Sequence, residues 1–260
     1  MKNNKSLGQH WLKDRFVLDE IAALAAEKDL DSDEPLAKTC LEIGPGLGTL
    51  TSALLRRFEK VVSVEFDGEL ARKLPNSFPG KNLVVKNEDF LKFDLDSFES
   101  PYVIAGNIPY YITSPIITKI LNTKNPPLRA VLLIQKEVAE RIAAKKGDHT
   151  LLSLLVQNRA NVELGPLVKR DMFTPPPRVD SEVIVLNPKK PEVEDSIFDL
   201  IKIGFSSPRK KLSANLSNGL KLSRSEIIKY LNDLGIDQNV RSADLSLAEW
   251  KKLADFAYKG

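Results

Sequence analysis

The 260-residue chain predicts an α/β fold, a mostly parallel sheet wound with helices and followed by a small all-helical module. Three observations predict it. Short apolar runs alternate with amphipathic stretches over the first two thirds of the chain. Four successive runs end on a glycine turn or a polar side chain. Beyond Pro191 no strand pattern is found.

Residues 1–13 are basic and aperiodic, yet Leu7, Trp11 and Leu12 predict an arm that packs back on the body. Asp14 is placed to cap a helix whose Val17, Ile21, Leu24 and Ala25 share a face. Asp29–Pro35 is an acidic, turn-rich loop. Strands are expected at Lys38–Ile43, Val61–Glu65, Leu83–Val85, Tyr102–Ala105 and Arg129–Gln135. Between and after them, helices are expected through Leu50, Leu54 and Leu55, over Glu69–Leu74, from Thr113, over Lys136–Ala144 and over Leu151–Gln157. Thr113-Ser114-Pro115 reads as a hydroxyl cap with proline in the first turn. Two later strands, near Val162–Leu167 and Val179–Leu186, follow one another without a helix and predict an antiparallel hairpin at one sheet edge.

Asn187–Pro191 reads as a linker, giving one domain over 1–190, with its arm at 1–13, and a helical one over 191–260. There Ile197, Leu200, Ile201 and Phe205 share a helical face. Ser223 with Glu226, and Ser246 with Glu249, have capping-box spacing, and Gly235 is placed to stop the helix between them. Six Lys/Arg and no acid lie from Lys202 to Arg224, a basic run that would also suit a solvated helix face.

The net charge of +3 permits a polyanionic partner without demanding one. The single cysteine, Cys40, sits in an apolar strand pattern and reads as a small buried hydrophobe, which excludes an internal disulfide framework. With only two histidines, no zinc or other metal site is expected. No apolar run approaches the roughly 18 residues that span a bilayer, and no presequence is visible, so a cytoplasmic protein is expected.

Glu42-Ile43-Gly44-Pro45-Gly46-Leu47-Gly48 joins a strand to a helix, and its glycines let backbone approach a ligand. Thr49 stands where a dinucleotide fingerprint needs its third glycine, which weakens a nicotinamide reading. Glu65, 21 residues after Gly44, ends the second strand where a carboxylate can accept from both ribose hydroxyls. Asp89 closes the third, where it can accept from an adenine amine. Asn107 closes the fourth, and Pro109, lacking an N–H, ends any ladder there. The Asn107 amide oxygen, a main-chain carbonyl and the Tyr110 ring can together hold a flat heterocycle with an exocyclic amine. Alone, that tetrapeptide would also suit a strand-ending turn with a surface tyrosine. Four successive strand ends carrying Gly, Glu, Asp and Asn along one crevice separate the two readings.

This series of strand ends resembles the class I S-adenosylmethionine-dependent methyltransferases. Taken with Asn107-Ile108-Pro109-Tyr110, Gly8-Gln9-His10-Trp11-Leu12 and Phe173-Thr174-Pro175-Pro176-Pro177-Arg178-Val179-Asp180-Ser181, the chain resembles the small-subunit ribosomal RNA adenine N6-dimethyltransferases over almost its whole length. The resemblance implies a class I, Rossmann-like sheet with a helical RNA-binding domain. It also implies dimethylation of N6 on two adjacent adenosines near the 3′ end of 16S rRNA, with S-adenosyl-L-methionine as cofactor and the small ribosomal subunit or its precursor as partner. Cofactor contacts carry over to His10, Leu12, Gly44, Glu65, Asp89 and Asn107, with His10 standing where the family usually has asparagine. Asn107, Pro109, Tyr110 and, as a second aromatic wall, Phe173 carry over to the acceptor site. Arg209, Lys210 and Lys211 carry over to the RNA contact, with Ser207 and Pro208 departing from the family pattern beside them. A monomer is expected. The alternatives are a large-subunit enzyme of the macrolide-resistance type and a largely non-catalytic assembly factor.

Overall fold

The computed structural model describes residues 10–27 and 36–257, so residues 1–9 of the expected arm and the Asp29–Pro35 loop lie outside it. In chain order the first elements are β1 (Trp11–Leu12), α1 (Arg15–Ala25), β2 (Thr39–Ile43), α2 (Thr49–Leu54), β3 (Lys60–Glu65), α3 (Gly68–Lys73) and β4 (Leu83–Asn87). Then come β5 (Tyr102–Asn107), α4 (Thr113–Asn122), β6 (Arg129–Gln135), α5 (Lys136–Ile142), α6 (Leu151–Gln157), β7 (Ala160–Val168), β8 (Phe173–Thr174) and β9 (Ser181–Pro188). Four helices complete the described chain: α7 (Ile197–Gly204), α8 (Leu212–Leu220), α9 (Arg224–Asp233) and α10 (Leu247–Ala257).

Seven strands form one sheet in the order β4-β3-β2-β5-β6-β9-β7. β2, β3, β4, β5 and β6 run parallel, and β9 returns antiparallel to β6, with Val131 opposite Val185. The two late strands do lie side by side at one edge, but β9 is interior and β7 is the edge strand. The central strands are buried and mostly apolar because helices cover both faces of a parallel sheet. β2 is buried at all five positions and β5 at its first five.

Register brings the carboxyl ends level. Ile43 of β2 lies between Val64 of β3 and Gly106 of β5, and Glu65 lies opposite Asn87 of β4. A side chain at Gly106 would put its Cβ 2.9 Å from the Ile43 carbonyl oxygen, so only glycine allows these two ends to run so close.

Asp14 caps α1 as its position implies, accepting from Val17 N at 3.0 Å, and the helix buries Val17, Leu18, Ile21, Ala22 and Ala25. The arm, from residue 10, is held by a second, two-stranded sheet in which Leu12 of β1 pairs with Phe173 of β8. Thr113 is not a cap. It is the first residue of α4, and its hydroxyl turns back to the Pro109 carbonyl at 3.4 Å.

The chain divides into two compact units, one of Met1–Ala139 with Asn161–Pro188 and one of Glu140–Ala160 with Lys189–Gly260. The expected single boundary at 190 is corrected here: the segment 140–160 belongs with the helices. Leu154 of α6 is buried in the core of the helical unit, with Leu151 and Leu155 packed against it. In that unit both capping boxes form, Ser223 with Glu226 and Ser246 with Glu249. Gly235, at φ +70°, closes α9.

Candidate functional site

The level strand ends open into a cavity of about 260 Å³ in the sheet-bearing unit. Gly44, Glu65, Asp89, Asn107, Pro109 and Tyr110 all line it, as do His10 and Leu12 of the arm. Eight of the residues named from the sequence are thus drawn together by one sheet edge and one short arm.

The turn after β2 is built on positive φ, +63° at Gly44 and +55° at Gly46. Gly44 N donates to Val64 O at 2.9 Å, tying the turn to β3. Gly46 N donates to Glu65 Oε2 at 3.0 Å, while Asp67 N donates to Oε1 at 2.8 Å. The carboxylate is therefore aimed by backbone alone, and each oxygen keeps lone-pair capacity for a ligand hydroxyl. Burial raises its pKa, and the two backbone donors counter that. Asp89 Oδ1 accepts from Leu91 N at 2.9 Å, which fixes its side chain in a local turn.

Asn107 donates from Nδ2 to the His10 carbonyl at 3.0 Å. A carbonyl can only accept, so this contact assigns the amide and leaves Oδ1 as its acceptor face. Tyr110 is half-buried, and its hydroxyl shares a hydrogen bond of 2.8 Å with Ser181 Oγ. The His10 ring lies 6.0 Å from the Tyr110 ring with 22° between their planes, and its Nδ1 is 2.7 Å from Pro175 O.

Phe173 is the residue that does not reach the site. It is 3% exposed, belongs to the hydrophobic core with Leu12 and Val168, and does not line the cavity. It packs in the core beside Leu12, which does line the cavity. Arg209, Lys210 and Lys211 are exposed between α7 and α8 of the helical unit. Lys211 Nζ bonds Asn239 Oδ1 at 2.6 Å.

Three contributors were given no role from the sequence. Phe66, 62% exposed, stands on the cavity rim directly after Glu65. Asn87 clips the end of β3, donating to the carbonyls of Glu65 and Phe66 at 2.9 and 3.2 Å. Glu42, fully buried in β2, accepts from Thr51 Oγ1 and Ser63 Oγ, each at 2.7 Å, through Oε2. Its Oε1 has no partner, and burial pushes the carboxyl up to about 7. The acid two residues before the glycine turn was its only signal.

Glu65, Glu88 and Asp89 line the cavity, and among the described residues no Lys or Arg does. Such a lining suits a cationic ligand with hydroxyls and an amine to donate, and opposes a pyrophosphate. Among the described residues there is no cluster of three metal-ligating side chains, and no helix is long and apolar enough to cross a membrane.

A family model described as ribosomal RNA adenine dimethylase matches residues 1–259. A ribosomal RNA small subunit methyltransferase A from Dehalococcoides mccartyi (strain CBDB1) is 38% identical over 97% of this chain and 88% of its own. Among solved structures, a dimethyladenosine transferase from Plasmodium falciparum superposes with a TM-score of 0.78 at 29% identity, covering 96% of this chain and 98% of that one. The 23S rRNA methyltransferase ErmE superposes with a TM-score of 0.73 at 27% identity, over 94% of this chain and 98% of its own.

Proposed function

The chain belongs to the ribosomal RNA adenine dimethylase family, and from that premise we propose that it transfers methyl groups from S-adenosyl-L-methionine to N6 of two adjacent adenosines near the 3′ end of 16S rRNA. It acts in the cytoplasm, as a monomer, on the small ribosomal subunit or its precursor. The observation that carries the reading is the cavity holding Gly44, Glu65, Asp89, Asn107 and Tyr110, with three acids and, among the described residues, no Lys or Arg on its wall.

The cavity fits the cofactor. Glu65 would take the ribose hydroxyls and Asp89 the adenine amine, and the Gly44 turn with the backbone of His10 and Leu12 would hold the amino-acid end. Bound there, the cofactor supplies an electrophilic methyl group on a sulfonium centre.

The protein's own task is to present the acceptor. An adenosine in a helix is out of reach, so the base must be single-stranded or flipped. Stacking on Tyr110, whose phenol is held by Ser181, would contribute about 1–3 kcal/mol. The N6 lone pair is delocalised into the ring and is a poor nucleophile. Asn107 Oδ1 and a main-chain carbonyl of the Ile108–Pro109 segment would hold the amine hydrogens and aim the lone pair out of the ring plane. Positioning of this kind is worth roughly 7–11 kcal/mol of barrier. No strong base is needed in the cavity, because the nitrogen becomes acidic only once alkylated and then loses its proton to water. The second transfer needs the slot to admit N6-methyladenosine.

Incubating separate 30S and 50S particles with methyl-labelled cofactor tests the reading. Label is expected in 30S RNA as N6,N6-dimethyladenosine. Label confined to 50S would establish the macrolide-resistance type, and no label in either would favour an assembly factor without catalysis.

A further inference from the structure

We infer that the Tyr111 ring is a stacking platform for the nucleotide that flanks the target adenosine, a base-binding subsite at the rim of the methylation cavity. The inference rests on the adenine-methylation reading and concerns how that site holds its strand. Three observations carry it. First, two neighbouring tyrosines meet opposite surroundings. Tyr110 is half-buried and its phenol is tied to Ser181 Oγ at 2.8 Å. Tyr111 is 63% exposed, yet it too lines the cavity. Among the described residues its hydroxyl has no hydrogen-bond partner and its ring makes no ring contact. Second, the two lie in one turn of 3-10 helix, Tyr110–Ile112, where consecutive side chains leave the axis about 120° apart. The backbone there is fixed on both sides, with Ile108 N donating to Leu133 O at 3.0 Å and Ile112 N to Pro109 O at 3.2 Å. The outward ring is thus presented from a rigid frame.

Third, the charge of the cavity dictates the kind of contact its rim can make. Glu65, Glu88 and Asp89 repel phosphate, and among the described residues the wall has no Lys or Arg to offset them. A strand at this mouth has to be held through its bases instead of its backbone. Extruding one base strips a stacking partner from its neighbour. An exposed aromatic ring beside the extrusion point replaces that lost face. Tyrosine suits the task, since its ring is neutral, rigid and turns about only two side-chain torsions. Every base has a π-face, so the same ring serves whichever adenosine of the pair occupies the cavity. The contact is also non-ionic, and its share of binding does not depend on salt as the Arg209–Lys211 share does.

The test measures kcat/KM on 30S particles for wild type, Tyr111→Ala, Tyr111→Leu and Tyr111→Phe, with the Kd for S-adenosylhomocysteine and the melting temperature as further readouts. Loss of the stacked face is expected to lower kcat/KM about tenfold in Tyr111→Ala and Tyr111→Leu, the latter apolar but without a ring. Tyr111→Phe is expected to stay within about threefold of wild type because it keeps the face. The deficit of Tyr111→Ala relative to wild type should be the same at about 50 and about 200 mM salt. The Kd is expected to move less than about threefold, and the melting temperature less than about 2 °C, since the ring is exposed. Wild-type turnover in Tyr111→Ala, or equal losses in Tyr111→Leu and Tyr111→Phe, would overturn the inference. So would a turnover loss matched by an equal loss of S-adenosylhomocysteine affinity, which would put the ring on the cofactor. Failure of the wild-type protein to label 30S particles would instead sink the functional reading itself.

Discussion

Glu42 is a single carboxyl with a measurable signature. Its ordinary pKa of 4.5 is pushed to about 7 by burial in β2, against the opposing hydrogen bonds from Ser63 and Thr51. Between those two values the folded protein binds a proton that the unfolded chain has released. Stability therefore falls as pH rises through that window and levels off above it. The effect is at most about 3 kcal/mol. Glu42→Gln keeps an acceptor for both hydroxyls and removes the titration. Melting curves from about pH 5 to about pH 8 should show the variant gaining on wild type by roughly 5 °C across the range. A constant difference would mean that Glu42 does not titrate there. For chemistry the decisive residue is Asn107. Asn107→Ala is expected to lower methyl transfer by at least about a hundredfold, read as label incorporated per minute, with cofactor affinity only partly weakened. These site residues were legible because each stands where an apolar run stops, and parallel register does the rest. The burial of Phe173 was not, since it follows from a two-residue pairing with Leu12 that has no period to detect. Phe66 was passed over because an apolar residue after a strand end carries no mark of exposure.

Among elements, β2 and β5 show how the site depends on backbone proximity. Gly106→Ala would bring a methyl group to 2.9 Å from Ile43 O and 3.0 Å from Ile108 Cδ1. The first neighbour is backbone in a central strand and cannot yield. Urea unfolding should show a loss of about 1–3 kcal/mol, and turnover should fall further as the end of β5 shifts from the end of β2. Helix starts were read from local chemistry and mostly hold, because a cap is satisfied within four residues; Asp14→Ala should cost about 1 kcal/mol in the same assay. Thr113 shows where that logic fails. The single turn of 3-10 helix at Tyr110–Ile112 precedes α4 and takes the place a cap would occupy. The order of the late strands was equally out of reach, for alternation in sequence states which strands exist and not which one inserts beside β6.

Across the whole molecule, charge is unevenly shared. The exposed Arg209, Lys210 and Lys211 segment follows an α7 whose approach and first turn carry four acids, from Glu192 to Asp199. Replacing the three with Gln should weaken binding to 30S particles and make the dependence of log K on log salt shallower by about 2–3, since each lost phosphate contact removes close to one released counterion. Unit-level organisation was the least legible feature. Composition marks the linker at 187–191 plainly, but α6 reads as one more helix of the alternating series. Only its burial against the later helices assigns it to them.

That assignment has a practical consequence. The polypeptide passes from one unit to the other three times, after residues 139, 160 and 188. Neither half is therefore a continuous stretch, and a cut at the obvious linker is not a cut between folding units. A fragment ending at 190 would carry Leu151, Leu154 and Leu155 with nothing to cover them, while a fragment beginning at 191 would lack them. The first should bind a hydrophobic dye and aggregate, and the second should melt without a cooperative transition. Anyone wishing to detach the helical portion has to graft the excursion at 140–160 onto it, or move the whole chain.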